Sequence, residues 1–460
     1  MVRARWLVIT IVTCLGIVSC NTAEKPFSCI PTPIEKTDTR STPLGISIQV
    51  DGSSSMLGYV SDAGSLYVQT LKLLDETLSL VSKTPVQYYR SGNALTRSDF
   101  RKAQLPTFYN GTDFPDVSAP IQNLIVEPGT KNSLQVIVTD LDQASGDVTL
   151  LTRKIQETYL NSKHPEYAVA IWAIQSEFEG TVYVQEQNRI KKFPFPNEKS
   201  SNKFRPFYVV FIGRHNDITQ YFASLQERQE NILANSKIAI FSPNHLVKEP
   251  FLLDREIEEK PAEEKAVLGE WNLSLNGFRV QAKDQNNQLW KIPQTSTDAI
   301  EISDSVSLDT IEHTVAIDIR SIEPLQSIEM PNKFSNTFQN SKEVLKDDSN
   351  LQKAIKISKW NLDSPAGQAP RKLNFVTTIH PDKFPEPGIY LFTIDLVAKN
   401  LQEQPWWEEW NWQIGRDNQQ DGSKTNNLLP FLRGLKTITA NLMAENPPKI
   451  GRFCYAIEKN

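Results

Sequence analysis

Between residues 44 and 241, strand-like apolar runs alternate with helical patterns, and this alternation restricts the fold more than any other feature of the sequence. The run from Leu44 to Val50 alternates apolar and polar residues, whereas Leu134 to Val138 is apolar in the way of a strand buried on both faces. Between them, a helical period places on one face Tyr67, Leu71, Leu74, Leu78 and Val81. Strands that alternate with amphipathic helices predict a three-layer α/β domain with a mostly parallel sheet.

Two segments depart from this alternation. Residues 91–111 are polar and lack a period, which predicts an irregular loop. Residues 176–205 contain the runs Val182 to Val184 and Lys192-Phe193, which indicate a hairpin inserted between two core strands. Both segments enlarge the domain that we assign to residues 44–247.

After residue 268 the pattern changes to short alternating runs, such as Val315 to Ile319 and Tyr390 to Val397, separated by turn residues. No helical period competes with these runs, so residues 269–400 are predicted to form an antiparallel β-sandwich domain. The acidic segment at 248–268 indicates a charged linker. A chain of 460 residues is long enough for two domains.

Residues 401–460 are predicted to form a Trp-rich and helical C-terminal tail, with a helix from Asn427 to Met443. Its tryptophans are Trp406, Trp407, Trp410 and Trp412. Such flat side chains can stack on a glycan or a peptide. We favour a packing role, in which they hold the tail on the β-sandwich.

The N-terminus has the layout of a signal peptide over residues 1–19. Arginines precede an apolar run from Trp6 to Val18, which is short for a bilayer span. The run ends in Ile17-Val18-Ser19-Cys20, which resembles the lipobox of bacterial lipoproteins. That resemblance implies cleavage before Cys20, acylation of Cys20 and a lipidated tether over 20–43. A plain signal peptide and an uncleaved anchor are the alternatives.

The cysteines agree with export. Cys14 would leave with the signal peptide and Cys20 would carry the lipid, so that Cys29 and Cys454 remain in an oxidising compartment. We expect these two to form a disulfide that joins the start of the mature chain to its end. The expected location is the cell membrane or the outer membrane, on the extracytoplasmic side, and Asn21 favours the outer membrane.

Several functions lack their sequence signals. A net charge of −5 gives no basic surface for nucleic acid. The five histidines form no close pair of the kind that zinc sites use, and no P-loop is present. Around Ser54, the sequence Gly52-Ser53-Ser54-Ser55-Met56 does not match the Gly-x-Ser-x-Gly turn of serine hydrolases.

The strongest chemical signal is the polar loop Asp51-Gly52-Ser53-Ser54-Ser55, directly after the first strand. Ligands of open α/β sheets bind beyond the carboxyl ends of the strands. One carboxylate and two hydroxyls in this loop are hard oxygen ligands of the kind that Mg²⁺ prefers. Thr112, in Asn110-Gly111-Thr112-Asp113, could add a third hydroxyl, and Asp140 follows the apolar strand with a second carboxylate.

Together these loops resemble the metal-ion-dependent adhesion site of von Willebrand factor A domains, with all three motifs in the family's order over about residues 44–245. The resemblance implies a Rossmann-like fold. It also implies that Ser53 and Ser55 bind the metal directly, that Thr112 is a switchable ligand, and that Asp51 and Asp140 often act through water. Leu141 stands where the family often has Gly, and Asp142 is a substitute ligand for that loop.

The resemblance further implies a site for Mg²⁺, with Mn²⁺ or Ca²⁺ as substitutes, whose open position accepts a carboxylate from a protein partner. We therefore expect a binding protein rather than an enzyme. One alternative is a phosphatase-like, metal-dependent hydrolase. Another is a structural metal, bridged by an acidic residue of the same chain, that locks the two domains together.

Overall fold

The computed structural model describes most of the chain from residue 44 onward. The described ranges are 44–82, 84–115, 121–125, 133–141, 148–186, 189–196, 202–226, 230–252, 256–257, 267–268, 271–272, 280–281, 290–292, 299–331, 342–344, 350–363, 371–386, 388–412 and 421–459. The predicted signal peptide, Cys20, the tether, Cys29, Asp142 and most of the charged linker lie outside them. Within these ranges no helix has both the length and the apolar character needed to cross a membrane.

The first region, residues 44–247, contains nine strands and five α-helices among the described residues. The strands are β1 (Gly45–Val50), β2 (Gln87–Arg90), β3 (Asn93–Leu95), β4 (Ser133–Thr139), β5 (Tyr167–Glu177), β6 (Gly180–Glu186), β7 (Arg189–Phe195), β8 (Phe204–Arg214) and β9 (Ser236–Phe241). The helices are α1 (Leu66–Val81), α2 (Arg97–Arg101), α3 (Val148–Thr158), α4 (His215–Gln226) and α5 (Glu230–Ala234). Local signals explain their limits: the Ser65 hydroxyl, for example, accepts a hydrogen bond from the Val68 N–H and caps α1.

Seven strands form one sheet in the order β3-β2-β1-β4-β8-β5-β9. The α/β class is confirmed, but the expectation of a mostly parallel sheet is wrong. Only β1 pairs in parallel with β2 and β4, whereas β2–β3, β4–β8, β8–β5 and β5–β9 are antiparallel. A parallel return needs a crossover, usually a helix. Between β5 and β8 the chain forms the β6–β7 hairpin instead, so β8 returns antiparallel.

The inserted hairpin is confirmed, with β6 and β7 paired from Gly180↔Phe195 to Glu186↔Arg189. The expectation of an irregular loop over 91–111 is wrong, because this segment contains β3 and α2. The Thr96 side chain accepts from the Asp99 N–H and begins α2. This is a capping signal that the search for an apolar period does not detect.

The position of β1 creates the crevice that matters for function. The chain crosses from β1 through α1 to β2 on one side, and β4 lies on the other side of β1. The register Val50↔Val138 brings the carboxyl ends of β1 and β4 side by side. This is a topological switch point, where open α/β sheets bind their ligands.

The second region, from residue 251 onward, contains two larger sheets and three two-stranded ones in the described part of the chain. Its strands are β10 (Phe251–Leu252), β11 (Glu256–Ile257), β12 (Val267–Leu268), β13 (Trp271–Asn272), β14 (Val280–Gln281), β15 (Trp290–Ile292), β16 (Ile300–Leu308), β17 (Ile322–Pro331), β18 (Lys342–Val344), β19 (Ile355–Asp363), β20 (Arg371–Ile379), β21 (Gly388–Ala398), β22 (Asn411–Trp412), β23 (Thr425–Asn426) and β24 (Lys449–Lys459). One larger sheet has the order β10-β24-β21-β17-β18, with β15 also on β24, and the other has the order β16-β20-β19. The two-stranded sheets are β11-β14, β12-β13 and β22-β23. The two sheets share a core, because Phe375 stacks on Phe453 at 5.5 Å and the Tyr455 hydroxyl donates to Thr377 at 2.7 Å.

The C-terminal residues belong to both regions. Helix α6 (Trp406–Glu409) precedes α7 (Leu428–Glu445), which packs against α3 and β9 of the first region. The chain then enters the second region as β24, between β10 and β21. The domain boundaries stay predictions, but residues 401–460 complete both regions rather than extending beyond them.

The tryptophans have the packing role that we favoured. Trp407 is fully buried, and Trp412 is nearly so. The ring centroids of Trp407 and Phe241 of β9 are 5.6 Å apart, and those of Trp412 and Phe193 of the β6–β7 hairpin are 6.1 Å apart. The surface that these two tryptophans cover therefore belongs to the first region. We had expected it to belong to the second.

Candidate metal centre

Asp51 lies at the centre of the candidate site. Its N–H donates to the Val138 carbonyl at 2.9 Å, which extends the β1–β4 ladder by one residue. Its carboxylate accepts from the Ser53 N–H at 3.0 Å through Oδ1 and from the Thr139 hydroxyl at 3.0 Å through Oδ2. Both oxygens are thus oriented by the loop and by the neighbouring strand.

Ser53 and Ser55 present their hydroxyls together. Their Oγ atoms are 2.9 Å apart, with Ser55 buried and Ser53 half-buried. Two ligands at right angles around Mg²⁺, each about 2.1 Å from the ion, lie about 3.0 Å apart. The spacing of the two hydroxyls therefore suits adjacent positions in an octahedral shell.

Asp140 follows β4 and is almost fully buried. Its Oδ2 lies 4.0 Å from Nη2 of Arg205, which is also buried. The next residue, Leu141, has a φ of +57°, and its N–H donates to the Thr139 hydroxyl at 3.1 Å. This left-handed backbone is the conformation that Gly adopts readily. The loop therefore has the backbone that a Gly would allow, although Leu occupies the position.

The charge on Asp51 is poorly compensated. Burial raises the pKa of this carboxyl above its ordinary value, and the hydrogen bonds from Ser53 and Thr139 and the charge of Arg90 oppose the rise without cancelling it. A buried anion in this condition is stabilised by any cation that reaches it.

Arg90 is a residue that sequence reasoning missed. Its buried guanidinium donates to the carbonyls of Gly52 at 2.8 Å, Phe108 at 3.1 Å and Pro115 at 2.9 Å. It thereby joins the Asp51 loop to the 108–115 segment. A Cβ on Gly52 would lie 2.6 Å from Arg90 Nε, so this position needs Gly. The only sequence signal is a charged residue at the end of the strand Gln87-Tyr88-Tyr89-Arg90.

Thr112 is not brought into the cluster. It is exposed, and its N–H donates to the Asn110 side chain at 3.1 Å. Among the described residues, the hydrogen bonds that connect the site join Asp51, Ser53, Ser55 and Thr139, and they do not include Thr112. Arg90 holds the same segment on either side of it, at Phe108 and Pro115.

Buried tyrosines surround the carboxylates. The hydroxyls of Tyr67 and Tyr109 are 2.8 Å apart, and Tyr109 donates to the Ala103 carbonyl at 2.9 Å. Burial raises the pKa of both, and the negative charge of Asp51 raises each further. These hydroxyls are therefore neutral near pH 7, and sequence reasoning had assigned Tyr67 only to an apolar helix face.

Arg205 connects Asp140 to the C-terminal part of the chain. Its Nη1 donates to the carbonyls of Gly422 at 3.0 Å and Lys424 at 3.2 Å. Nearby, the Tyr208 hydroxyl donates to Thr425 at 2.8 Å. The segment 422–425 thus lies beside the Asp140 end of the site.

The donor set fits a hard divalent cation. It combines two buried carboxylates with two adjacent serine hydroxyls, which is oxygen chemistry suited to Mg²⁺. In the described ranges no group of three or more His, Cys, Asp or Glu side chains is placed to hold a metal, so this site would depend on its hydroxyls. The chain matches no protein-family model, no curated protein and no solved structure.

Cys454 is disulfide-bonded and lies on β24. The other three cysteines of the chain lie outside the described residues, so its pairing with Cys29 stays a prediction.

Proposed function

We propose that this chain is a membrane-anchored, extracytoplasmic binding protein that uses a Mg²⁺-dependent adhesion site to bind an acidic residue of a protein partner. In this proposal residues 44–247 are a von Willebrand factor A-type domain and 269–400 a β-sandwich. The lipid on Cys20 tethers both outside the cytoplasm. The protein has no catalytic role.

The observation that carries the proposal is the state of Asp51. Its carboxylate is buried at the switch point beside two hydroxyls that are 2.9 Å apart, and burial raises its pKa in spite of Arg90. Ser53 and Ser55 would hold the ion directly, and Asp51 and Asp140 would supply the negative charge. A bound Mg²⁺ supplies positive charge and an open position for a partner's carboxylate. Thr112, which lies on an exposed turn, would become a metal ligand when a partner's carboxylate binds at that position.

Asp51→Asn tests the metal site directly. This substitution keeps the shape of the side chain and removes the buried charge. The matched control is Asp62→Asn, which makes the same change at an exposed position. For wild type and Asp62→Asn, Mg²⁺ at about 100 times its Kd should raise the free energy of unfolding by about 2.7 kcal/mol. Asp51→Asn should lose this rise. Without metal it should be at least as stable as wild type, because the charged form of Asp51 is the one that burial disfavours.

Calorimetric titration with Mg²⁺ and thermal unfolding with and without EDTA provide the measurements. Equal Mg²⁺ affinity in Asp51→Asn and wild type, or no Mg²⁺ binding in wild type, would refute the metal site. The partner is then sought in envelope extract by capture on wild type, with Asp51→Asn and EDTA as negative controls. A partner held equally by Asp51→Asn would show that binding does not use the metal.

A structural metal is the second candidate, and the contacts of Arg205 favour it. This guanidinium lies 4.0 Å from Asp140 and also holds the 422–425 segment. A metal that rearranged Asp140 would change how the C-terminal segment is held. Small-angle scattering that shows a compact particle in Mg²⁺ and an expanded one in EDTA would support this role, and identical curves would contradict it.

The hydrolase alternative has no specific support. The hydrogen bonds of Asp51 come from Ser53 and Thr139, and the charge of Arg90 lowers its pKa. None of these is a general base. Phosphatase activity that disappears in Asp51→Asn would establish the alternative.

A further inference from the structure

A cleft of about 350 Å³ opens in the second region, where the two sheets meet. One wall is β17, through Pro324 and Gln326. The opposite wall is the 3₁₀ turn 351–353 with the start of β19, and the turn after β20 closes one end with His380 and Lys383. Hydrogen bonds fix the walls: Gln326 Nε2 donates to the Ile355 carbonyl at 2.8 Å, and the His380 N–H donates to the Ala354 carbonyl at 2.8 Å.

The lining of this cleft is positively charged. Its ionisable residues are Lys353, Lys356, Lys383 and His380, and no carboxylate lines it. Lys383 pairs with the exposed Asp382 at 2.6 Å, outside the lining. Within the described part of the chain, Lys353 and Lys356 form no ion pair and are exposed at the mouth. The nearby acid on β17, Glu323, pairs with Lys399 instead.

In the described ranges, the floor of the cleft contains one unpaired polar atom among apolar side chains. The Oε1 atom of Gln326 is buried and has no hydrogen-bond partner in the described structure, while Nε2 of the same amide is used by Ile355. A buried acceptor of this kind suits a ligand that also brings a hydroxyl or an acidic proton. The apolar side chains of Ile355 and Ile357 form the rest of the floor.

We propose that this cleft binds a phosphate-bearing anion. Ammonium groups act as point charges for phosphate, and Lys353 and Lys356, the two lysines at the mouth that form no ion pair among the described residues, supply the two positive charges that balance a phosphate dianion. The volume lies at the small end of ligand sites, which suits a phosphate group with a short polar substituent. Free phosphate esters and the headgroups of anionic phospholipids share this chemistry. The site is separate from Asp51 and does not depend on the metal.

The test uses the double variant Lys353→Gln/Lys356→Gln, which removes the two positive charges at the mouth without introducing negative ones. The matched control is Lys359→Gln/Lys372→Gln, which removes the same charge from exposed positions of β19 and β20 outside the cleft. All proteins are full-length chains with Cys20→Ser, so that no acyl group at this position attaches them to lipid. Inorganic phosphate is titrated by calorimetry, and co-sedimentation is measured with vesicles of phosphatidylcholine with and without phosphatidylglycerol.

The expected result is that wild type and control bind alike, whereas the cleft variant binds about tenfold more weakly, because two charge-assisted contacts are lost. Binding to phosphatidylglycerol vesicles identifies a lipid headgroup as the source, and binding to inorganic phosphate alone identifies a soluble anion. The proposal is overturned if neither probe binds wild type, or if the control loses as much affinity as the cleft variant. Thermal unfolding of each variant verifies that the fold is intact.

Discussion

The two faces of the seven-stranded sheet are covered in different ways. On one face α1 and α4, which lie close to their strands in sequence, enclose a core that includes Val68, Leu71 and Phe222. On the other face α3 is joined by α7 from the far end of the chain, and that core continues into the two sheets of the second region. One face is thus completed mainly by helices close in sequence, with Trp412 as a contribution from the distant C-terminal part, whereas the other depends on the whole of α7. The first region is therefore not independent of the second.

The largest expected effect comes from removing the distant cover. A fragment of residues 44–247 keeps the α1 and α4 face but exposes apolar residues such as Ile171 and Phe241 on the other. Each large side chain exposed costs about 1.5–3 kcal/mol, so a few exceed the 5–15 kcal/mol that usually stabilises a fold. We expect the fragment to bind a hydrophobic dye and to lack a cooperative thermal transition, unlike residues 44–460. A cooperative melt at the full chain's Tm would show that the two faces are equally self-sufficient.

A smaller effect is expected where α7 meets α3. A Cβ on Gly434 would lie 2.8 Å from Cγ2 of Thr152, a short and branched side chain that cannot turn away. Gly434→Ala should therefore destabilise the protein by about 1–3 kcal/mol through overpacking, although Ala favours a helix over Gly by about 1 kcal/mol.

The double variant Gly434→Ala/Thr152→Ala removes the clashing methyl and should recover wild-type stability, measured by urea unfolding. Thr152→Ala alone is the control, with an expected change within about 0.5 kcal/mol. A destabilised double variant would mean that the close approach of the helices is not the reason for the glycine.

The smallest effect concerns Asp395 of β21, which forms ion pairs with two residues of β24, the strand that follows α7. Burial raises the pKa of this carboxyl, but hydrogen bonds from Arg452 and Lys449 on β24 outweigh burial and leave it below its ordinary value. A lowered folded-state pKa contributes stability above the unfolded value of about 3.9 and loses it as the pH falls through the folded value. Asp395→Asn should cost about 1–2 kcal/mol at pH 7.

The difference between wild type and Asp395→Asn should shrink as the pH falls below about 4, measured by urea unfolding across that range. A difference that stays constant with pH would show that shape, and not charge, makes the contact. Asp382→Asn, which changes an exposed carboxylate next to Lys383, is the matched control.

Much of the architecture could be predicted from local pattern. The strands ending at Val50 and Thr139, the helix at 66–81 and the inserted hairpin follow from apolar period and turn residues, which act over a few positions. Strand direction was the main error. The sequence between β5 and β8 shows a hairpin, but the antiparallel pairing of β8 with both β4 and β5 is seen only in the tertiary structure.

The candidate site shows the same division. The grouping of Asp51, Ser53 and Ser55 was predictable, because they share one loop after a strand. Asp140 was predictable, because it directly follows the buried strand β4, which lies beside β1. Arg90 and Arg205 were not. Each is an arginine near the end of a strand, and no local pattern distinguishes a buried guanidinium from a solvated one. Thr112 was predicted as a ligand but lies on an exposed turn.

The sequence by itself determined the α/β class of the first region, the polar loops at the ends of β1 and β4 and the hard-oxygen chemistry gathered there. Those features depend on side-chain period and on neighbours within a loop. The tertiary structure alone decided the mixed sheet, the cover of its second face by α7 and the contact between Arg205 and Gly422, which are 217 positions apart. Such contacts form only when distant apolar surfaces close on each other, and their free energy comes from burial that no local window of sequence contains.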